Sequence, residues 1–132
     1  MLYLLDTDTC SYAMRGASAN LDAKLQKADE GSIAISAVTR AELRFGLEKR
    51  GNPRALSLVV NGFLERVPVA PWDAEAADRL GRLRAQLERG GTPIGVFDTM
   101  IAAHALALGA ILVTNNQKHF QKVRALKIEN WA

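Results

Sequence analysis

Four short apolar runs, separated by segments of helical period, constrain this chain more than any other feature. They are Tyr3-Leu4-Leu5, Ser32-Ile33-Ala34-Ile35, Arg66-Val67-Pro68-Val69 and Ala110-Ile111-Leu112-Val113. The last is the clearest strand, rich in branched residues and stopped by Thr114-Asn115-Asn116. Proline pushes the third toward a short or edge strand, because it cannot donate to a ladder.

Between the runs the spacing becomes helical. Leu21 and Leu25 share a face, as do Leu43 and Leu47 in the segment 36–50. That segment can start at Ser36 or through a capping box of Thr39 and Glu42, and both starts remain open. Leu56, Val59, Val60, Phe63 and Leu64 form one stripe; Ala76, Leu80, Leu83 and Leu87 form another, with arginines around its other faces. Gly90-Gly91-Thr92-Pro93 ends that helix, and a last one runs from about Val96 to Leu108 before Gly109. Strands alternating with helices predict an α/β domain, three-layered, with a mainly parallel sheet and helices on both faces. Sites in such sheets gather beyond the carboxyl ends of the strands, where Asp6 and Asn115-Asn116 stand.

Length and composition narrow the function. The 132 residues suit one domain, 1–132, and 48% hydrophobic with 23% charged residues excludes a disordered chain. No apolar run approaches the roughly 20 residues of a membrane span, and MLYLLDTDT does not read as a signal peptide. Cys10 is the only cysteine, which suits a reducing cytoplasm and leaves His104 and His119 without partners for structural zinc. A net charge of +3 and pI near 9.3 favour a polyanionic partner such as nucleic acid, although a plain soluble basic protein has the same balance.

Most of the fourteen carboxylates lie near loops or on polar helix faces. Asp6, Asp8, Glu42 and Asp98 do not. Asp6 follows a buried strand, Asp98 sits between Val96-Phe97 and Met100-Ile101, and Glu42 lies between Ala41 and Leu43. Each alone has a bland reading as a helix cap or dipole partner. Brought to one sheet end, Asp6, Glu42 and Asp98 would repel strongly unless a cation sat among them. Oxygen-only ligands completed by water suit Mg²⁺, with Mn²⁺ a possible substitute. Such a metal activates water and neutralises charge on a phosphodiester. His104 reads as a packed core residue and His119 as a surface residue that could touch RNA.

The motifs LLDTDT at 4–9, ISAVTRAELRFG at 35–46, PIGVFDTMIAAHA at 93–105 and ILVTNNQKHF at 111–120, before a tail ending in ENW, occur in order. In this the chain resembles the PIN-domain ribonucleases, specifically the VapC toxins of bacterial toxin–antitoxin pairs. The resemblance implies a compact α/β/α fold, with Asp6 and Asp98 as direct metal ligands and Glu42 completing the acidic site. Thr7 would steady the cluster. The family often has an acidic residue after the fourth strand, where this chain has Asn115-Asn116. Asn116 is the counterpart, beside Thr114 and Asn115, and its lack of charge argues against a firmly bound second metal. Asp8 stands where many relatives carry Asn and is assigned a supporting role.

The resemblance further implies a toxin that cleaves structured RNA, in tRNA or ribosomal RNA loops, and inhibits translation. Its partners would be a cognate VapB-type antitoxin and a second copy of the chain, with the helices at 53–65 and 73–89 offering surface for both. Two other readings compete: a PIN nuclease of RNA processing or single-stranded DNA without a toxin role, and a non-catalytic RNA- or protein-binding module whose acidic residues are caps.

Overall fold

A computed structural model describes residues 1–132. The central sheet comprises β1 (Tyr3–Leu5), β2 (Ile33–Ser36), β3 (Val69–Ala70), β4 (Ile111–Val113) and β5 (Ile128–Glu129). All neighbours pair in parallel, in the order β3-β2-β1-β4-β5. The helices are α1 (Thr7–Arg15), α2 (Ala19–Lys27), α3 (Ala37–Lys49), α4 (Arg54–Arg66), α5 (Ala74–Arg89), α6 (Val96–Leu108) and the short α7 (Gln117–Phe120).

Period-2 alternation splits the core into the two halves that make three layers. Leu4, Ala34 and Leu112, aligned across β1, β2 and β4, pack with Leu83 and Leu87 of α5 and Ile101 of α6. Their chain neighbours Leu5, Ile35 and Val113 face the other way, onto Cys10, Leu21, Leu43, Leu47, Val60 and Phe63 of α1 to α4. The expected α/β/α fold with a parallel sheet is therefore the observed one. The chain order reverses between β1 and β4, which creates a switch-point crevice at their carboxyl ends.

Three details differ from the sequence expectation. Arg66 closes α4, so the third strand shifts to Val69–Ala70; it is an edge strand, as the proline predicted. The start of α3 is settled for Ser36, whose hydroxyl accepts from the Val38 N–H at 3.0 Å. The tail also forms β5, held by Trp131, which packs on Tyr3 at 5.0 Å between ring centroids and whose carbonyl accepts from the Asn20 side chain. Gly109 takes a left-handed φ of 64° and turns the chain from α6 into β4.

Candidate active site

Asp6 is the first residue beyond β1 and caps α1, its Oδ1 accepting from the Thr9 N–H at 2.8 Å. Its own N–H donates to the Val113 carbonyl at 3.0 Å, and the Thr9 hydroxyl donates to that carbonyl at 3.1 Å. The bland reading and the functional one thus coexist: the cap locks the carboxylate at the switch point. Asp6 is only 4% exposed. Burial pushes its carboxyl above the ordinary value, against hydrogen bonding from Thr114 and Thr9 that pulls the other way.

Asp98 lies in the first turn of α6 and is half-buried. Burial raises its pKa first; the negative charges of Asp6, Glu42 and Asp8 raise it further, while His119 pulls it down. The fold therefore puts all four singled-out carboxylates within one electrostatic neighbourhood.

Glu42 earns its place for a different reason from the one its neighbours suggested. Ala41 and Phe45 are exposed, because the helical period turns Val38, Thr39, Leu43 and Leu47 to the interior instead. Glu42 is oriented instead by Thr7, whose hydroxyl donates to Oε1 at 2.6 Å. That hydroxyl has one hydrogen, so its oxygen is left to accept from Thr39, 3.2 Å away. A relay of Thr39, Thr7 and Glu42 replaces the Thr39–Glu42 capping box.

Asp8 is exposed on the first turn of α1, and Thr114 is fully buried beneath the site. Asn115 is half-buried. Asn116 is exposed; its N–H donates to the Thr114 hydroxyl at 2.9 Å, and its side-chain nitrogen lies 3.0 Å from His119 Nδ1.

His119 is the residue that sequence reasoning set aside. The short helix α7 carries its Nδ1 to 3.0 Å from Asp98 Oδ2. Nδ1 can donate to the carboxylate or accept from the Asn116 amide, and the carboxylate is the stronger acceptor. The only sequence signal was position, three residues beyond Asn116. His104 behaves as the packed residue its spacing indicated, 1% exposed with Nδ1 2.8 Å from the Ser36 hydroxyl.

No three His, Cys, Asp or Glu side chains lie close enough together to hold a metal ion by themselves. The donor set nevertheless fits a hard cation. Mg²⁺ keeps several waters and commonly binds through one or two carboxylates plus substrate phosphate, which an open crevice with Asp6 and Asp98 can supply. Burial raises both pKa values first and neighbouring carboxylates add to the rise, and a bound cation would offset both costs.

Comparison with known proteins identifies the family of the fold. A PIN-domain profile matches residues 3–126. The tRNA(fMet)-specific endonuclease VapC of Shigella flexneri is 39% identical over 130 residues, 98% of either chain. The Salmonella typhimurium protein of the same name is 36% identical over 129 residues, 98% of this chain and 97% of its own. Among solved structures, DNA-bound VapBC from Salmonella typhimurium superposes with a TM-score of 0.93 at 37% identity, covering 100% of both chains. VapBC2 of Rickettsia felis, bound to a promoter DNA fragment, gives 0.92 at 35% identity and the same coverage.

Proposed function

The chain belongs to the PIN-domain family as a VapC-type ribonuclease, and on that premise we propose that it is a metal-dependent endoribonuclease toxin acting through Asp6, Asp98 and Glu42. The observation that carries the assignment is geometric: Asp6 stands at the carboxyl end of β1, its neighbour Thr7 holds Glu42 at 2.6 Å, and Asp98, held by His119 at 3.0 Å, feels the charge of both carboxylates. Asp6 and Asp98 supply the oxygens that hold Mg²⁺, or Mn²⁺ in its place. Bound there, the cation would lower the pKa of a water and offset charge on the scissile phosphodiester. Asp6 is kept in position by its cap on α1, and Asp98 by His119. Glu42, with Oε1 committed to Thr7, keeps Oε2 to accept a hydrogen bond from water. Thr114 lies under Asp6, while Asp8, Asn115 and Asn116 line the rim in supporting roles.

The substrate is structured RNA, with a tRNA loop as the first candidate because two relatives matched over nearly their whole length are named for tRNA(fMet). Loops expose phosphates to an open metal site in a way that duplexes do not. The partner is a VapB-type antitoxin, as in the VapBC complexes that share this fold. Pairing of two copies would use α4, which leaves Leu58 67% and Val59 44% exposed, rather than α5, whose stripe is spent on the core. No helix is long and apolar enough to cross a membrane, and a cytoplasmic site of action belongs to this proposal through its RNA substrate.

The test is expression of wild type and Asp98→Asn in bacteria with sequencing of RNA 5′ ends. Growth arrest with discrete tRNA cuts, absent in the variant and relieved by the antitoxin, supports the reading. Arrest that persists in Asp98→Asn would sink it.

A further inference from the structure

Away from the acidic crevice, a groove of about 690 Å³ runs between α5 and residues 121–125. Arg79, Arg82, Lys122 and Arg124 line it, and no Asp or Glu does. None of these four cations is in an ion pair; the chain's ion pairs are Arg84–Glu88 and His119–Asp98. Four unpaired like charges around one concavity repel one another, so the groove gains from an anion with several charges. We propose that it binds the phosphodiester backbone of the RNA substrate, as a site separate from the catalytic carboxylates.

Two observations favour nucleic acid over an acidic protein segment. The first is continuity with the acidic crevice. Helix α7, which sets His119 on Asp98, leads directly into the wall formed by residues 121–125. Leu106, also in the lining, lies about 12 Å along α6 from Asp98. A strand cut at Asp98 would thus pass the groove within a few nucleotides. The second is chemical. No aromatic side chain lines the groove, so it has no platform for stacking bases and recognises phosphates by charge. Its contacts are therefore independent of sequence, and they add affinity and orientation to a shallow catalytic site.

The proposal rests on the chain acting on RNA, and its test separates binding from cleavage. Affinity for a single-stranded oligo-uridylate long enough to span both sites is measured in chelator, for wild type and the exposed pair Arg82→Gln/Arg124→Gln. The slope of log affinity against log salt should fall by about 1.4 in the variant, at about 0.7 per lost phosphate contact. Between about 50 and 200 mM salt, wild type should lose roughly sevenfold more affinity than the variant. Arg82→Lys/Arg124→Lys should restore the slope, and a dinucleotide should bind all three proteins alike. An unchanged slope with unchanged melting temperature overturns the proposal. Loss of poly-glutamate binding with RNA binding intact also overturns it, in favour of an acidic protein segment. Cleavage is assayed separately after Mg²⁺ is restored. A groove effect without wild-type cleavage refutes the nuclease assignment and leaves the groove standing.

Discussion

The Thr7 hydroxyl donates to Glu42 Oε1 across 2.6 Å, joining the first turn of α1 to the middle of α3. These residues are 35 positions apart, so no local spacing shows that they meet. The bond matters because the core contacts of α3, through Val38, Leu43 and Leu47, do not touch the Glu42 carboxylate, whose side-chain hydrogen bond is to Thr7. Thr7→Val should keep the volume and lose the bond. We expect a stability loss of about 1 kcal/mol and a cleavage loss of about tenfold or more. Thr7→Ser should recover most of the activity. A cleavage assay beside a thermal melt separates the two effects; Thr7→Val cleaving at the wild-type rate would show that Glu42 needs no such aim.

Asp6 and Asp98 have folded pKa values above the ordinary carboxylate value of 3.8. A raised acid binds more protons folded than unfolded, so without metal it costs stability as pH rises from about 3.8 through its folded pKa. Chelated protein should therefore gain stability from Asp98→Asn at neutral pH while losing catalysis. Saturating Mg²⁺ should raise the melting temperature of wild type, by about 2.7 kcal/mol of stability at a hundred times the dissociation constant, and leave the variant unmoved. Thermal melts with and without Mg²⁺ would decide; a variant stabilised as much as wild type would remove Asp98 from the ligand set.

His119 holds Asp98 through a bond that outlasts changes in the loop only if a donor is kept. His119→Ala should lower cleavage by about tenfold, the size of one charge-assisted hydrogen bond, whereas His119→Gln should retain more of it. Wild-type activity in His119→Ala would make His119 a bystander.

His104 sits under the crevice, with Nδ1 on Ser36 and its ring edge-on to Trp72 at 5.2 Å. Burial lowers its pKa, with Asp73 opposing. The unfolded chain then binds more protons, so stability falls as pH drops through about 6.5 toward the lower folded value. His104→Ala should cost about 1–3 kcal/mol through the lost packing and an orphaned Ser36 hydroxyl, and should flatten that acid-side slope. Melts across this pH range check both.

Much of this fold was legible because its physics is local. Apolar runs mark β1, β2 and β4, apolar spacing marks α2 to α5, and glycine punctuation at Gly90-Gly91 and Gly109 brackets α6. α1 was legible only as something for Asp6 to cap, because TDTCSYAMR buries just Thr9 and Cys10. β5 is two residues long and exists through its pairing with β4 and the anchoring of Trp131, contacts that no spacing displays. Asp6 and Asp98 could be singled out because charge on apolar elements is conspicuous. Glu42 was singled out between Ala41 and Leu43, of which only Leu43 proves buried, and His119 was missed because its partner is twenty-one positions away on another helix.

The most direct test of the central claim is the cleavage rate of a tRNA by purified protein as Mg²⁺ is titrated, for wild type, Asp6→Asn and Asp98→Asn. Asn can still cap α1, so Asp6→Asn removes charge without removing the cap. The account predicts a saturable, chelator-sensitive rate for wild type and losses of about a hundredfold or more in each variant, on the scale of a lost electrostatic contribution to catalysis. Chelator-resistant cutting, or a wild-type rate in either variant, would contradict it.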